Sequence, residues 1–172
     1  MPASTTVTIT YLQMTSPAQL RASGFWPVDG RVARVDPPVP ELNRFFYEAV
    51  GREWCWIDRL AWTPLEWHNY AHAQGVETWI LTQAGIPAGY YELDSRSGDP
   101  QIAYFGLLKE FIGQGLGGYL LTHAIHRAWE IGGNRVWVHT CTLDHPAALA
   151  AYQARGFEIY QTETVEIELP TE

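Results

Sequence analysis

With 172 residues, 47% of them hydrophobic and only 17% charged, the chain is long and apolar enough to bury a core and is not a disordered segment. Its formal charge of −8 argues against nucleic acid or an anionic membrane as a partner. Two cysteines, Cys55 and Cys141, are too few for a disulfide framework or a cysteine zinc site. The amino terminus lacks the basic and apolar regions of a leader, so one cytoplasmic domain over residues 1–172 is expected.

Taken in order, Thr6–Leu12 is β-branched and reads as a strand. Ser16–Pro40 carries five prolines and reads as ordered loop with a short helical turn. Glu41–Val50 places Leu42, Phe45, Phe46 and Ala49 on one helical face, and Gly51 stops it. After an aromatic stretch with Trp54, Trp56 and Trp62, Thr63-Pro-Leu-Glu66 supplies an N-cap, a first-turn proline and a capping-box glutamate. Residues 77–83 and 88–94 read as strands around Ala84-Gly-Ile-Pro87, and Ser95–Pro100 turns into a third strand from Gln101. The glycine-rich Gly113-Gln-Gly-Leu-Gly-Gly118 leads to a helix ending at Gly132-Gly133, and Arg135–Cys141 is a further buried strand. A short helix around Pro146–Arg155, capped by Asp144 or His145, and a hairpin of 157–160 with 164–169 complete the reading.

Strand, glycine loop, helix and strand form a β-α-β unit, whose ligands sit at the carboxyl ends of the strands. The free N–H groups of a helix's first turn attract anions, and glycine lets a phosphate come close, although the same glycines also serve tight packing. A P-loop is excluded because Tyr119 follows Gly117-Gly118, and a dinucleotide fingerprint because Arg135-Val136-Trp137 stands where an acidic residue is needed.

The loop, the following strand, and Asp144-His-Pro-Ala-Ala-Leu-Ala-Ala-Tyr-Gln-Ala-Arg-Gly-Phe157, with Tyr152 four residues before Gly156, resemble the GNAT superfamily of N-acetyltransferases. The resemblance implies a mixed α/β fold: a mostly antiparallel twisted sheet with one parallel β-α-β unit. It implies acetyl-CoA as acyl donor, a small-molecule or peptide amine as acceptor, and direct attack in a ternary complex. It also implies that backbone N–H groups of Phe105 and Leu107, with Gly106 between them at a bulge, hold the thioester arm. Ile112, Gly113, Gln114, Gly115, Leu116, Gly117 and Gly118 would cradle the pyrophosphate. Two positions depart from the family: Ile112 replaces its glutamine or arginine, and Gln101 stands where many members carry a glutamate base.

Acyl transfer to an amine needs a base for the ammonium and an acid for the leaving thiolate. Tyr152, protonated at neutral pH, is the candidate acid, or else a core aromatic. Glu92, flanked by Tyr90, Tyr91 and Leu93, is the first candidate base, or else a solvated carboxylate. His139 is the second, or else a core histidine. Asp144 caps the helix or orients Tyr152 or the acceptor. The tryptophans at 54, 56 and 62 read equally as an aromatic wall for the acceptor and as core. No metal site is expected from His68/His72 or His123/His126, since His68 is followed by Asn69 rather than glutamate. A homodimer is compatible with this reading. The alternative is a non-catalytic acyl-CoA-binding module, which Gln101 and Ile112 favour.

Overall fold

A computed structural model describes residues 4–170. The elements are β1 (Ser4–Met14), β2 (Gly30–Arg34), α1 (Pro40–Gly51), α2 (Pro64–Ala71), β3 (Val76–Gln83), β4 (Ile86–Asp94), β5 (Gln101–Leu107), α3 (Leu116–Ile131), β6 (Val136–Cys141), α4 (Ala148–Ala154) and β7 (Glu158–Glu168). They build one seven-stranded sheet in the order β2-β3-β4-β5-β6-β1-β7. Every neighbouring pair is antiparallel except β5 and β6.

The capping signals read from the sequence act as expected at α2: Thr63 Oγ1 accepts from Glu66 N, and Glu66 reaches back to Thr63 N at 2.7 Å. In α3, Leu116, Leu120, Leu121, Ala124, Ile125 and Ala128 are all buried, as their spacing predicts. That stripe packs on Leu12, Met14, Leu93, Ile102, Val136 and Val138 of the sheet, and truncating one such leucine to alanine would cost about 2–5 kcal/mol. The opposite face of the sheet receives α1, through Phe46 and Val50 against Tyr90. The two faces thus carry separate apolar clusters, with β5 contributing alternately to each.

Two expectations are corrected. The proline-rich segment contains a strand: Gly30–Arg34 pairs with β3 from Gly30↔Gln83 to Arg34↔Trp79. Five residues with no strong alternation were too short a pattern to read. The expected hairpin over 157–169 is instead one continuous strand. Gln161-Thr-Glu163 contains no glycine, proline, asparagine or aspartate to turn it, and β1 offers a long partner, from Ser4↔Glu168 to Gln13↔Glu158. A register shift beside Tyr11 and Leu12 absorbs the mismatch in alternation. The amino-terminal strand therefore sits between β6 and β7, a placement with no local sequence signature.

Candidate active site

β5 and β6 are joined at a single pair, Gln101↔Trp137, and a cavity of about 530 Å³ opens between them beyond it. A register shift in β5, where Tyr104 pairs with Glu92 and Ile102 with Leu93, leaves Ala103 unpaired as the bulged residue. The bulge expected around Gly106 is thus at Ala103. Gly106 is required for a different reason, since a Cβ there would lie 2.5 Å from Val50 Cγ1 on α1. The Leu108 N–H donates to Ala88 O on β4 at 2.8 Å. By strand alternation the N–H groups of Leu107 and Phe105 point the other way, into the cavity. Gln101 lies at the closed end of the split and does not line the cavity, so its amide bears no relation to a base there.

On the α3/α4 side the backbone dominates. Gly113 and Gly115 adopt φ of 84° and 82°, the left-handed region, which turns the loop into α3. The Ile112 N–H donates to Lys109 O at 3.3 Å; among the described residues those of Gly113, Gln114 and Gly115 donate to no backbone acceptor, and those of Leu116, Gly117 and Gly118 belong to the open first turn of α3. Ile112, Gly113 and Gly117 face the cavity, while Phe25 covers the far side of Gly115. Tyr152 completes this side, its ring near Phe105 and edge-on to Phe157 at 6.0 Å. Burial, reinforced by the charge of Asp144, holds its phenol pKa well above the usual value, so it stays protonated. The spacing of Tyr152 from Gly156 has a packing cause: Gly156 has φ 106°, and a Cβ there would meet Gln19 O at 2.0 Å.

On the α1/α2 side the walls are side chains. His139 and Cys141 project from β6, Val7 and Ile9 from β1, and Val165 and Ile167 from β7. Ser4–Thr8 and Thr164–Glu168 continue past the last β6 pair as a ribbon over this end of the cavity. The segment after α1 supplies Trp54, Trp56 and Asp58. Asp58 accepts from the hydroxyls of Tyr47 (2.7 Å) and Tyr104 (2.6 Å). Asp144 does not cap α4, whose N-cap is Ala147. Instead its Oδ2 accepts from Thr140 Oγ1 and Cys141 N, at 2.6 and 3.0 Å, and its Oδ1 from Trp56 Nε1 at 3.2 Å. His139 is open to solvent through the cleft yet hemmed in by protein. That desolvation lowers its pKa, against the opposing pull of Asp144, Asp58 and Glu163, so it is neutral at pH 7. Burial raises the Cys141 thiol pKa, with Asp144 adding to it, which disfavours the nucleophilic thiolate.

Glu92 is not brought to this cavity. It is wholly buried beneath α1 and α2, where Oε1 accepts from Arg59 Nη1 (2.9 Å) and Tyr70 OH (2.8 Å) and Oε2 from Asn43 Nδ2 (2.7 Å). Tyr91 and Leu93 belong to the cluster on the opposite face of the sheet, and α1 covers the face that Glu92 shares with Tyr90. Arg59 in turn lies among aromatic rings, 4.1 Å from Tyr70, 4.3 Å from Tyr104 and 4.6 Å from Trp62. Trp62 is thus part of this packed box, while Trp54 and Trp56 line the cavity and pack against the Phe46 cluster. Asp58, Tyr104 and the four aliphatic side chains of β1 and β7 escaped the sequence reading. Tyr104 and Asp58 lie 46 positions apart and meet only through α1 packing.

The family's sequence model, described as the acetyltransferase (GNAT) family, matches residues 39–157. The chain belongs to the GNAT family. No curated protein matches it. Among solved structures, the GNAT chain is similar to a GCN5-related N-acetyltransferase from Sphaerobacter thermophilus, with a TM-score of 0.72 at 18% identity, covering 99% of this chain and 53% of that one. One from Kribbella flavida gives 0.66 at 20% identity, covering 98% and 61%. An aminoglycoside acetyltransferase from an uncultured soil metagenomic sample, in complex with sisomicin, gives 0.56 at 14% identity, covering 74% and 86%. At such identities the likeness is one of fold, and this GNAT chain spans little more than half the length of the first two. Among the described residues no helix is long and apolar enough to cross a membrane.

Proposed function

We propose that the protein transfers an acetyl group from acetyl-CoA to a primary amine by direct attack in a ternary complex. The observation that carries the reading is the row of unclaimed amide hydrogens from Gly113 to Gly118, leading into the split where those of Phe105 and Leu107 point. The first row suits a diphosphate on a helix N-terminus. The second suits the amide-bearing arm and the thioester carbonyl oxygen, whose growing charge it would stabilise. Acetyl-CoA supplies an activated acyl carbon. His139, neutral and on the acceptor face, takes a proton from the ammonium. The freed lone pair forms the C–N bond, the C–S bond breaks with its electrons on sulfur, Tyr152 gives its phenolic proton to the thiolate, and the remaining extra proton on the acylated nitrogen restores the phenol. The products are the amide, the free CoA thiol and one proton released to solvent. The raised thiol pKa of Cys141 supports direct attack over an acyl-enzyme.

The test is acetyl-CoA binding by thermal shift, followed by release of free thiol with a panel of amines. Tyr152→Phe should lower kcat about 100-fold, within the range for removing a general acid, with acetyl-CoA affinity retained. Unchanged turnover would remove Tyr152 from the chemistry. Absence of acetyl-CoA binding would overturn the whole reading, and binding without transfer to any amine would leave the non-catalytic module.

A further inference from the structure

We infer that the acceptor is a small apolar monoamine, an aryl-alkyl or branched alkyl amine, rather than a polyamine, a sugar-like polyol amine or a peptide. This rests on the transfer reading above and concerns only the half of the cavity on the α1/α2 face. Beside the thioester position that half offers polar groups at His139, His145, Asp58 and Asp144, and the two carboxylates attract an ammonium. Asp58 already accepts from Tyr47 and Tyr104, and Asp144 from Thr140, Cys141 N and Trp56. Both are therefore fixed in place with lone pairs left over.

Beyond them the wall is apolar. Val7 and Ile9 of β1 and Val165 and Ile167 of β7 lie on the sheet face that carries His139, because Tyr11 pairs with His139, Ile9 with Cys141 and Val7 with Val165. Trp54, tilted 4.7 Å from His145, lines the same cavity. Of the charged groups on this face Glu163, opposite Ile9, already accepts from Tyr11 at 2.6 Å, so a second ammonium or a row of hydroxyls seated against Val7, Val165 and Ile167 would lose its water for little return, whereas an aromatic or branched alkyl body would gain by the same burial. The ribbon of Ser4–Thr8 and Thr164–Glu168 lies over this end, and the 530 Å³ shared with the acyl arm leaves room for a compact molecule only.

The experiment measures kcat/KM under saturating acetyl-CoA for phenethylamine and isoamylamine, against spermidine, kanamycin and a lysine peptide. The apolar amines should exceed the others by at least about 100-fold, the scale on which pockets discriminate by unpaired polar groups. Val165→Thr and Ile167→Thr, which keep β-branching, should each raise the phenethylamine KM about tenfold. Their acetyl-CoA affinity and melting temperature should stay at the wild-type values. A preference for spermidine, kanamycin or the peptide, or an unchanged KM in both variants, would overturn the inference while leaving the transfer reading standing. Transfer to no amine, with acetyl-CoA still bound, would overturn both. Quenching of Trp54 and Trp56 fluorescence by phenethylamine, and not by spermidine, is the expected binding signal without turnover.

Discussion

The two halves of the cavity are built by different means. The α3/α4 half presents backbone: amide hydrogens of a glycine loop and of one split strand, which any side chain could accompany and which are held by regular structure. The α1/α2 half presents side chains: those of β1, β6 and β7 are set by strand pairing, and those of the segment after α1 lead into the buried Arg59–Glu92 ion pair and its aromatic box. A backbone site is fixed by the fold and recognises a common group, whereas a side-chain site changes with each residue. On the proposed reading, donor recognition is therefore generic to this architecture, and acceptor recognition is particular to this chain.

The largest expected effect separates the halves by their supports. Glu92→Gln would leave Arg59 buried without its counter-charge, which should cost about 3–5 kcal/mol in urea unfolding. In the folded fraction the amine KM should rise while acetyl-CoA affinity stays, because Arg59 tethers the segment bearing Trp54, Trp56 and Asp58 and not the glycine loop. Equal damage to both affinities would erase the comparison.

The next effect concerns pH. In the proposed mechanism His139 takes a proton only when neutral, and its pKa lies below the usual imidazole value of about 6.5. kcat/KM should therefore fall on acidification with a midpoint below 6.5, and be flat from there to neutrality. Tyr11, raised to about 12 by its bond to Glu163, contributes no titration in this range. His139→Gln should lower kcat/KM at pH 7 about 10- to 100-fold and abolish the acid limb. A persisting limb would assign the proton to another group. The sign for stability is the same. The unfolded chain protonates first, so the contribution of His139 is present above 6.5 and lost as pH falls.

The smallest effect sharpens the backbone half. A Cβ at Gly117 would meet only Leu107 Cδ1, at 3.8 Å, so Gly117→Ala should fold with unchanged or slightly raised melting temperature. The methyl group would stand where a phosphate must approach the amide, and calorimetry should show acetyl-CoA binding weakened about tenfold, the worth of one hydrogen bond to a charged group.

The same division explains what the sequence disclosed. The helix stripe of Leu116–Ala128, the capping box at Thr63 and the glycine loop are local patterns, and each took the form its spacing implied. The place of Tyr152 beside the cavity was legible because Gly156 fixes its register on packing grounds visible as a motif. Glu92 was misjudged because alternation gives its face but not what covers it. Asp58, Tyr104, Val7 and Val165 were invisible because their partnership arises from tertiary pairing across 46 to 158 positions. The hairpin expected near the carboxyl end failed for the same reason, since its true partner lies at the other end of the chain.

That placement of β1 has a consequence for synthesis. β1 has no neighbour to pair with until Val136–Cys141 and then Glu158–Glu168 have been made, so it must wait, extended and β-branched, while residues 15–135 are synthesised. The α1/α2 wall of the cavity is then completed only after the glycine loop has been made, and nascent chains halted before β7 should hold that loop without the side chains of Val165 and Ile167.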